Sequence, residues 1–264
     1  MTPVEVMRGD GPVILGLPHT GTYVSADIRA RLNDTGRGLA DTDWNIHKLY
    51  EGLLPGVTTV RATFHRYVID ANRDPSGASL YPGQNTTGLV PLTDFDGRDI
   101  WQVPPSGGEV EHRREKFHAP YHSALEAEMA RVRARHGAAV LYDCHSIRSR
   151  IPFLFDGVLP DFNIGTNDGA TCAPVIAGAV EAVCREAEGY SCVTNGRFKG
   201  GWTTRHYGRR EEGWHAIQME LAQSTYMEEA APWPYLHERA ERLRPHLAEI
   251  LARLDRLARQ GVQG

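Results

Sequence analysis

The sequence predicts an α/β protein, with a largely parallel or mixed sheet covered by helices on both faces. Three observations predict it. Short apolar runs alternate with helix-period segments along most of the chain. Two of those runs end directly in histidine-bearing polar loops, LPHTGT and LYDCHS. No internal repeat and no break in composition divides the 264 residues, so one domain spanning 1–264 is expected.

Val13–Leu17 (VILGL) reads as a buried strand, with His19-Thr20-Gly21-Thr22 as the loop after it. Ser25–Leu32 reads as a short helix with Ser25 as candidate N-cap. Asp41 and Asp43 precede an amphipathic pattern over Trp44–Leu53. Val57–Ala62 reads as a strand, and Arg66–Asp70 as a strand or strand end. Residues 74–110 are rich in Gly, Pro, Asp and Thr without periodicity, and such long loops usually serve as lids or binding loops.

Glu111–His136 is helical by composition, with Pro120 a candidate kink. Ala138–Tyr142 is another buried strand, followed by Asp143-Cys144-His145-Ser146. Phe162–Gly165 is short and apolar, Ala173–Glu186 a helix, and Ser191–Thr194 an edge-strand candidate. Asn195–Trp202 is a glycine-rich basic loop, which lacks the Walker spacing of nucleotide-binding loops. Ala216–Leu221 alternates as a strand carrying Glu220, and Tyr235–Arg259 closes the chain as an amphipathic helix.

Composition narrows the function. A net charge of −4 with no block of Lys and Arg argues against nucleic acid or an anionic membrane as partner. The apolar run near the N-terminus is too short for a signal h-region or a membrane span. Cys144, Cys172, Cys184 and Cys192 form no CxxC pair, so free thiols in a reducing cytoplasm are expected.

In open α/β sheets, ligands sit at the carboxyl ends of strands, where His19 and His145 fall. A catalytic zinc takes about three His or carboxylate ligands and keeps one position open. The two imidazoles can converge on one ion, with Asp41 or Asp43 as third ligand. Asp143, two residues before His145, can orient that imidazole or ligate directly. Glu220, a carboxylate in an apolar stretch, suits a general base beside an activated water. Arg66, Arg73, Arg148, Arg197 and Arg205 lie in or near these loops and match substrate carboxylates. His206 is a candidate donor to an oxyanion. A hydrolase using Cys144 or Ser146 as nucleophile, and a non-catalytic binder of acidic amino acids, are the competing readings.

Taken in order, LPHTGT, ADTDW, RYVIDANRDP, LYPGQNTTGL, DCHSIRS, NGRFKGGWTTRHYG and QMELAQSTYM resemble the N-formylglutamate amidohydrolase family from about Gly11 to Tyr226. The resemblance implies a three-layer α/β/α sandwich with a central mixed sheet, of the phosphorylase/hydrolase-like kind. It implies zinc, or another divalent transition metal, and hydrolysis of N-formyl-L-glutamate to formate and L-glutamate in histidine degradation. His19, Asp43 in preference to Asp41, and His145 match the metal ligands. Glu220 matches the base, and Asn72-Arg73 the pair that binds a substrate carboxylate. The wider exopeptidase group carries HxxE, whereas Thr22 stands three residues after His19 here, so the second ligand comes from elsewhere. Another N-acyl amino acid or a peptidoglycan amide is the alternative substrate.

Overall fold

In the computed structural model, which describes residues 1–79, 83 and 85–262, one mixed sheet organises the chain. Leu80, Tyr81, Pro82 and Gln84 of the LYPGQNTTGL motif lie outside the described residues. The strands are β1 (Val4–Met7), β2 (Val13–Leu17), β3 (Thr58–Ala62), β4 (Ala139–Ile147), β5 (Phe162–Gly165), β6 (Cys192–Thr194) and β7 (Trp214–Ala222). Their lateral order is β1-β3-β2-β4-β7-β5-β6. The inner four, β3, β2, β4 and β7, are mutually parallel. β1 runs antiparallel to β3 and β5 antiparallel to β7, and β6 follows β5 in parallel.

The helices are α1 (Ala26–Arg31), α2 (Asp34–Arg37), α3 (Ile46–Tyr50), α4 (Gly107–Arg113), α5 (Ala119–His136), α6 (Pro174–Glu186), α7 (Trp202–Tyr207) and α8 (His237–Arg259). Strand alternation sorts the sheet's side chains into two cores. Val13, Leu15 and Leu17, with Val140, Tyr142 and Cys144 and with Ile217, Met219 and Leu221, pack against α3, α6 and α8. Ile14, Ala139, Leu141 and Ala216 pack on the other face, against Tyr121, Leu125, Met129 and Val132 of α5. The result is the three-layer α/β/α arrangement. It also explains why the inner strands read as unbroken apolar runs, since both of their faces are covered.

Several elements differ from the sequence expectation. Arg66–Asp70 is not a strand. His65 accepts the Tyr67 amide on Nδ1 at 3.0 Å and the Val68 amide on its carbonyl at 2.9 Å, which closes a turn instead. β4 does not stop at Tyr142 but runs to Ile147, because β7 pairs with it as far as Ala222. His145 is therefore a strand residue, not a loop residue. β1 went unread because its residues, one half-buried and three exposed, carry no buried alternation. The helix expected over Trp44–Leu53 shrinks to α3, which Asn45 enters at a left-handed φ of 61°. The long helix is interrupted by a π turn at Arg114–His118, just before Pro120, whose missing N–H cannot bond four residues back. All four cysteines carry free thiols. Among the described residues no helix is long and apolar enough to cross a membrane.

Candidate active site

The same alternation that builds the cores delivers the polar side chains. Along β4 the odd-numbered residues face α5, so Asp143 and His145 continue the line of Ala139 and Leu141. Along β7 the even-numbered residues do, so Gln218 and Glu220 continue the line of Ala216. Register sets Asp143 beside Gln218 and His145 beside Glu220. His19 stands two residues past the end of β2, and its carbonyl accepts the Asp43 amide at 3.0 Å, which fastens the Asp41–Asp43 turn to it.

Three donor atoms meet there. His19 Nδ1 and His145 Nδ1 are 3.2 Å apart, and Asp43 Oδ2 lies 3.8 Å from the first and 3.4 Å from the second. These three buried residues form a group able to hold a metal ion among the described residues. Each imidazole turns its other nitrogen to a carboxylate. His19 Nε2 contacts Asp70 Oδ1 at 2.7 Å, and His145 Nε2 contacts Asp143 Oδ1 at 3.1 Å. The Asp70 hydrogen bond fixes the His19 tautomer with its Nδ1 lone pair toward this point, whereas Asp143 Oδ1 makes no hydrogen bond among the described residues and acts on His145 through its charge. Asp43 is held on both oxygens, by Arg66 Nη2 at 2.6 Å and the Ser146 amide at 3.1 Å.

The buried carboxylates make positive charge favourable at His145. Burial works to lower the His145 pKa, yet the Asp143 and Asp43 carboxylates overcome it and hold the value well above that of an ordinary histidine. Burial and Arg66 lower His19. Burial would raise Asp70, but His19, Arg73 and Arg66 hold it well below the usual carboxylate range. Glu220 differs. Burial raises it to about 7, with His145 opposing and Asp43 adding to the rise.

A cleft of about 630 Å³, its mouth included, opens onto this group. His19, His145, Glu220, Gln218, Arg66 and Asn72 line its floor and walls, and Arg73, Asn85, Thr87, Leu154, Arg197 and Phe198 line the rest. Asn72 places Nδ2 3.2 Å from His145 Nε2 and accepts the Thr203 amide on Oδ1 at 2.8 Å. Arg73 braces its own loop, donating to the Thr87 carbonyl at 2.8 Å and hydroxyl at 2.9 Å.

Other residues singled out in the sequence fall elsewhere. Asp41 lies outside the three-donor group. Its Oδ2 accepts Tyr67 Oη at 2.8 Å and the Phe95 amide at 3.0 Å. Arg148 pairs with Asp96 at 3.0 Å, Arg205 donates to the Gly200 carbonyl at 2.9 Å, and His206 stacks on Trp202. None of these three lines the cleft. Cys144 packs into the opposite core and burial pushes its thiol well up, which removes it as a nucleophile. Ser146 lines the cleft, but its hydroxyl bonds Tyr226 Oη at 2.7 Å, with no histidine base. Sequence reasoning missed Asp70 and Gln218. Gln218 was readable by strand alternation from Glu220. Asp70 was hidden because a strand reading of Arg66–Asp70 makes no turn toward His19.

A family model described as N-formylglutamate amidohydrolase matches residues 11–227. The N-formylglutamate deformylase of Pseudomonas aeruginosa is 48% identical over 250 residues, 94% of each chain. That of Pseudomonas putida is 46% identical over 250 residues, 94% of this chain and 93% of its own. The crystal structure of N-formylglutamate amidohydrolase from Ralstonia eutropha JMP134 matches at a TM-score of 0.82 and 29% identity, covering 99% of this chain and 100% of that one. A gene product of Agrobacterium tumefaciens shares the fold at a TM-score of 0.69 and 18% identity, covering 97% of this chain and 96% of its own.

Proposed function

Because this chain belongs to the N-formylglutamate amidohydrolase family, we infer that it hydrolyses the formamide bond of N-formyl-L-glutamate, releasing formate and L-glutamate as a step of histidine degradation. We propose that it does so as one catalytic unit spanning residues 1–264, with zinc or a similar divalent metal held by His19, Asp43 and His145. Free thiols at every cysteine suit a reducing cytoplasm as its compartment.

The observation that carries the metal is the convergence of two Nδ1 atoms and one carboxylate oxygen. Ligands ~2.0–2.1 Å from a tetrahedral ion lie roughly 3.3 Å apart. The three donors here are separated by 3.2, 3.4 and 3.8 Å. Two imidazoles and a carboxylate also leave one position open for reaction. The bound ion supplies Lewis acidity, which makes water nucleophilic near neutral pH and draws charge toward the carbonyl oxygen.

The protein does the remainder. The Glu220 carboxylate takes a proton from the attacking water and passes it to the departing amine nitrogen. Arg66 is anchored to Asp43 by one nitrogen, while its buried Nε has no hydrogen-bond partner among the described residues. It offers positive charge to the developing oxyanion. Asn72, Arg73 and Arg197 line the cleft and suit the two carboxylates of the substrate. Formate release from N-formyl-L-glutamate, set beside N-formyl-L-aspartate and N-acetyl-L-glutamate, tests the reading. The first should be strongly preferred, and activity should vanish on chelation and return with zinc. Absence of turnover of N-formyl-L-glutamate by the zinc-loaded protein would refute it.

A further inference from the structure

Resting on the hydrolytic reading above, we propose that Gln218 is a positioning residue that aims the Glu220 carboxylate at the reacting water. β7 sets the two side chains on the same face, two residues apart, and both line the cleft. The Gln218 carboxamide is held at both ends. Its Oε1 accepts the Gly201 amide at 2.7 Å, and its Nε2 donates to Glu220 Oε2 at 3.0 Å. A backbone amide can only donate, so the carboxamide oxygen must face Gly201 and the NH2 must face Glu220. One oxygen of Glu220 is thereby tethered. No described residue donates to the other oxygen, Oε1, which on this proposal is the one that meets the water.

The anchor itself is rigid. A Cβ on Gly201 would lie 2.2 Å from Asn72 Nδ2, so the backbone there is pressed against the Asn72 side chain. Asn72 in turn accepts the Thr203 amide at 2.8 Å, two residues further along the same segment. A single glycine junction thus couples Asn72, on the substrate side, to Gln218 and so to the base. A glutamate fixed before substrate arrives reacts from one geometry, and misplacement by about 1 Å can cost on the order of 100-fold in rate.

The test uses the zinc-loaded enzyme with N-formyl-L-glutamate as substrate. Gln218→Glu is isosteric and keeps an acceptor for Gly201, but it replaces the neutral NH2 tether by a carboxyl that must share one proton with Glu220, so the base is no longer freely ionised. Gln218→Met removes both. We expect kcat to fall about 10–100-fold in each, as misplaced reacting groups do, with KM, zinc content and melting temperature near wild type. Because Gln218 acts through Glu220, Gln218→Met should cost less than about twofold more when Glu220→Gln is already present. An unchanged kcat in both variants would overturn the proposal. So would losses that multiply in the double variant, or zinc content and melting temperature falling with kcat in the isosteric variant. A wild type without turnover would overturn the hydrolytic reading along with it. A wild type that turns over while the Gln218 variants match it would overturn this proposal alone.

Discussion

Asp70→Asn isolates what a carboxylate behind the proposed metal-ligand imidazole of His19 contributes. Asp70 Oδ1 accepts from both His19 Nε2 at 2.7 Å and the Asn72 amide at 2.8 Å. A carboxamide oxygen in that place keeps both bonds. Oδ2 makes no hydrogen bond and lies 3.9 Å from Arg66 Nη1 and 3.8 Å from Arg73 Nη1. The substitution therefore removes a charge while leaving the contacts of His19 in place. His19 then donates to a neutral acceptor and becomes a weaker ligand. Loss of such an orienting partner costs roughly 10–100-fold in metal affinity, about 1.4–2.8 kcal/mol. Competition for zinc against a chelator of known affinity measures it directly, at low temperature so that two arginines left without their buried counter-charge do not unfold the apoprotein. Asp143→Asn should weaken zinc binding through His145 as well, by removing the carboxylate charge 3.1 Å from its Nε2. Zinc affinity within twofold of wild type in both variants would refute the carboxylate–imidazole–metal reasoning.

Glu220→Gln should lower kcat by about 100-fold or more while retaining zinc, the range lost with a general base; steady-state kinetics and metal analysis decide it. Burial holds Glu220 at about 7 and the base must be ionised, so kcat/KM should rise with pH through about 7 and then flatten. A profile flat from pH 5 to 9 would count against that assignment. Asp43→Asn should abolish zinc binding and Asp41→Asn should not, a contrast read by metal content after dialysis. Burial raises Asp41 to about 7, above its unfolded value, so the stability it contributes is complete below about pH 4 and is lost as pH rises toward 7. The melting temperature of Asp41→Asn relative to wild type should therefore climb between pH 4.5 and 8. Gly201→Ala should cut kcat/KM sharply, because its Cβ meets the Asn72 side chain at 2.2 Å and one of the two must move.

What the sequence made legible follows from how local each determinant is. The run VILGL ends where the apolar pattern ends, so His19 was placed correctly at a strand terminus. The helix α6 begins one residue from its expected start, because Pro174 suits a first helical turn. Spacing alone left Asp41 and Asp43 open, and only the family resemblance favoured Asp43. Two acids two residues apart in an irregular turn carry no periodicity; the fold separates them by fastening the Asp43 amide to the His19 carbonyl and turning Asp41 to Tyr67 and the Phe95 amide. The arginines were harder still. Arg66 and Arg148 both sit in polar segments, but Arg66 reaches Asp43 while Arg148 reaches Asp96, and both partners are distant in sequence.

The extension of β4 to Ile147 carries the most consequence. Had the strand ended at Tyr142, nothing would relate His145 to Glu220. Inside the ladder they are direct neighbours, His145 beside Glu220 and Asp143 beside Gln218. The proposed ligand His145, the neighbouring Asp143 carboxylate, the proposed base Glu220 and its tether Gln218 are then fixed by one register. A slip of β7 by a single residue against β4 would turn Gln218 and Glu220 into the apolar core against α3, α6 and α8 and bring Met219 to the cleft side instead. The long buried ladder between β4 and β7 therefore does more than hold the sheet together. It is the ruler that sets the distance between the proposed metal ligand His145 and the proposed base Glu220, and substitutions that loosen it should reduce activity before they reduce the amount of folded protein.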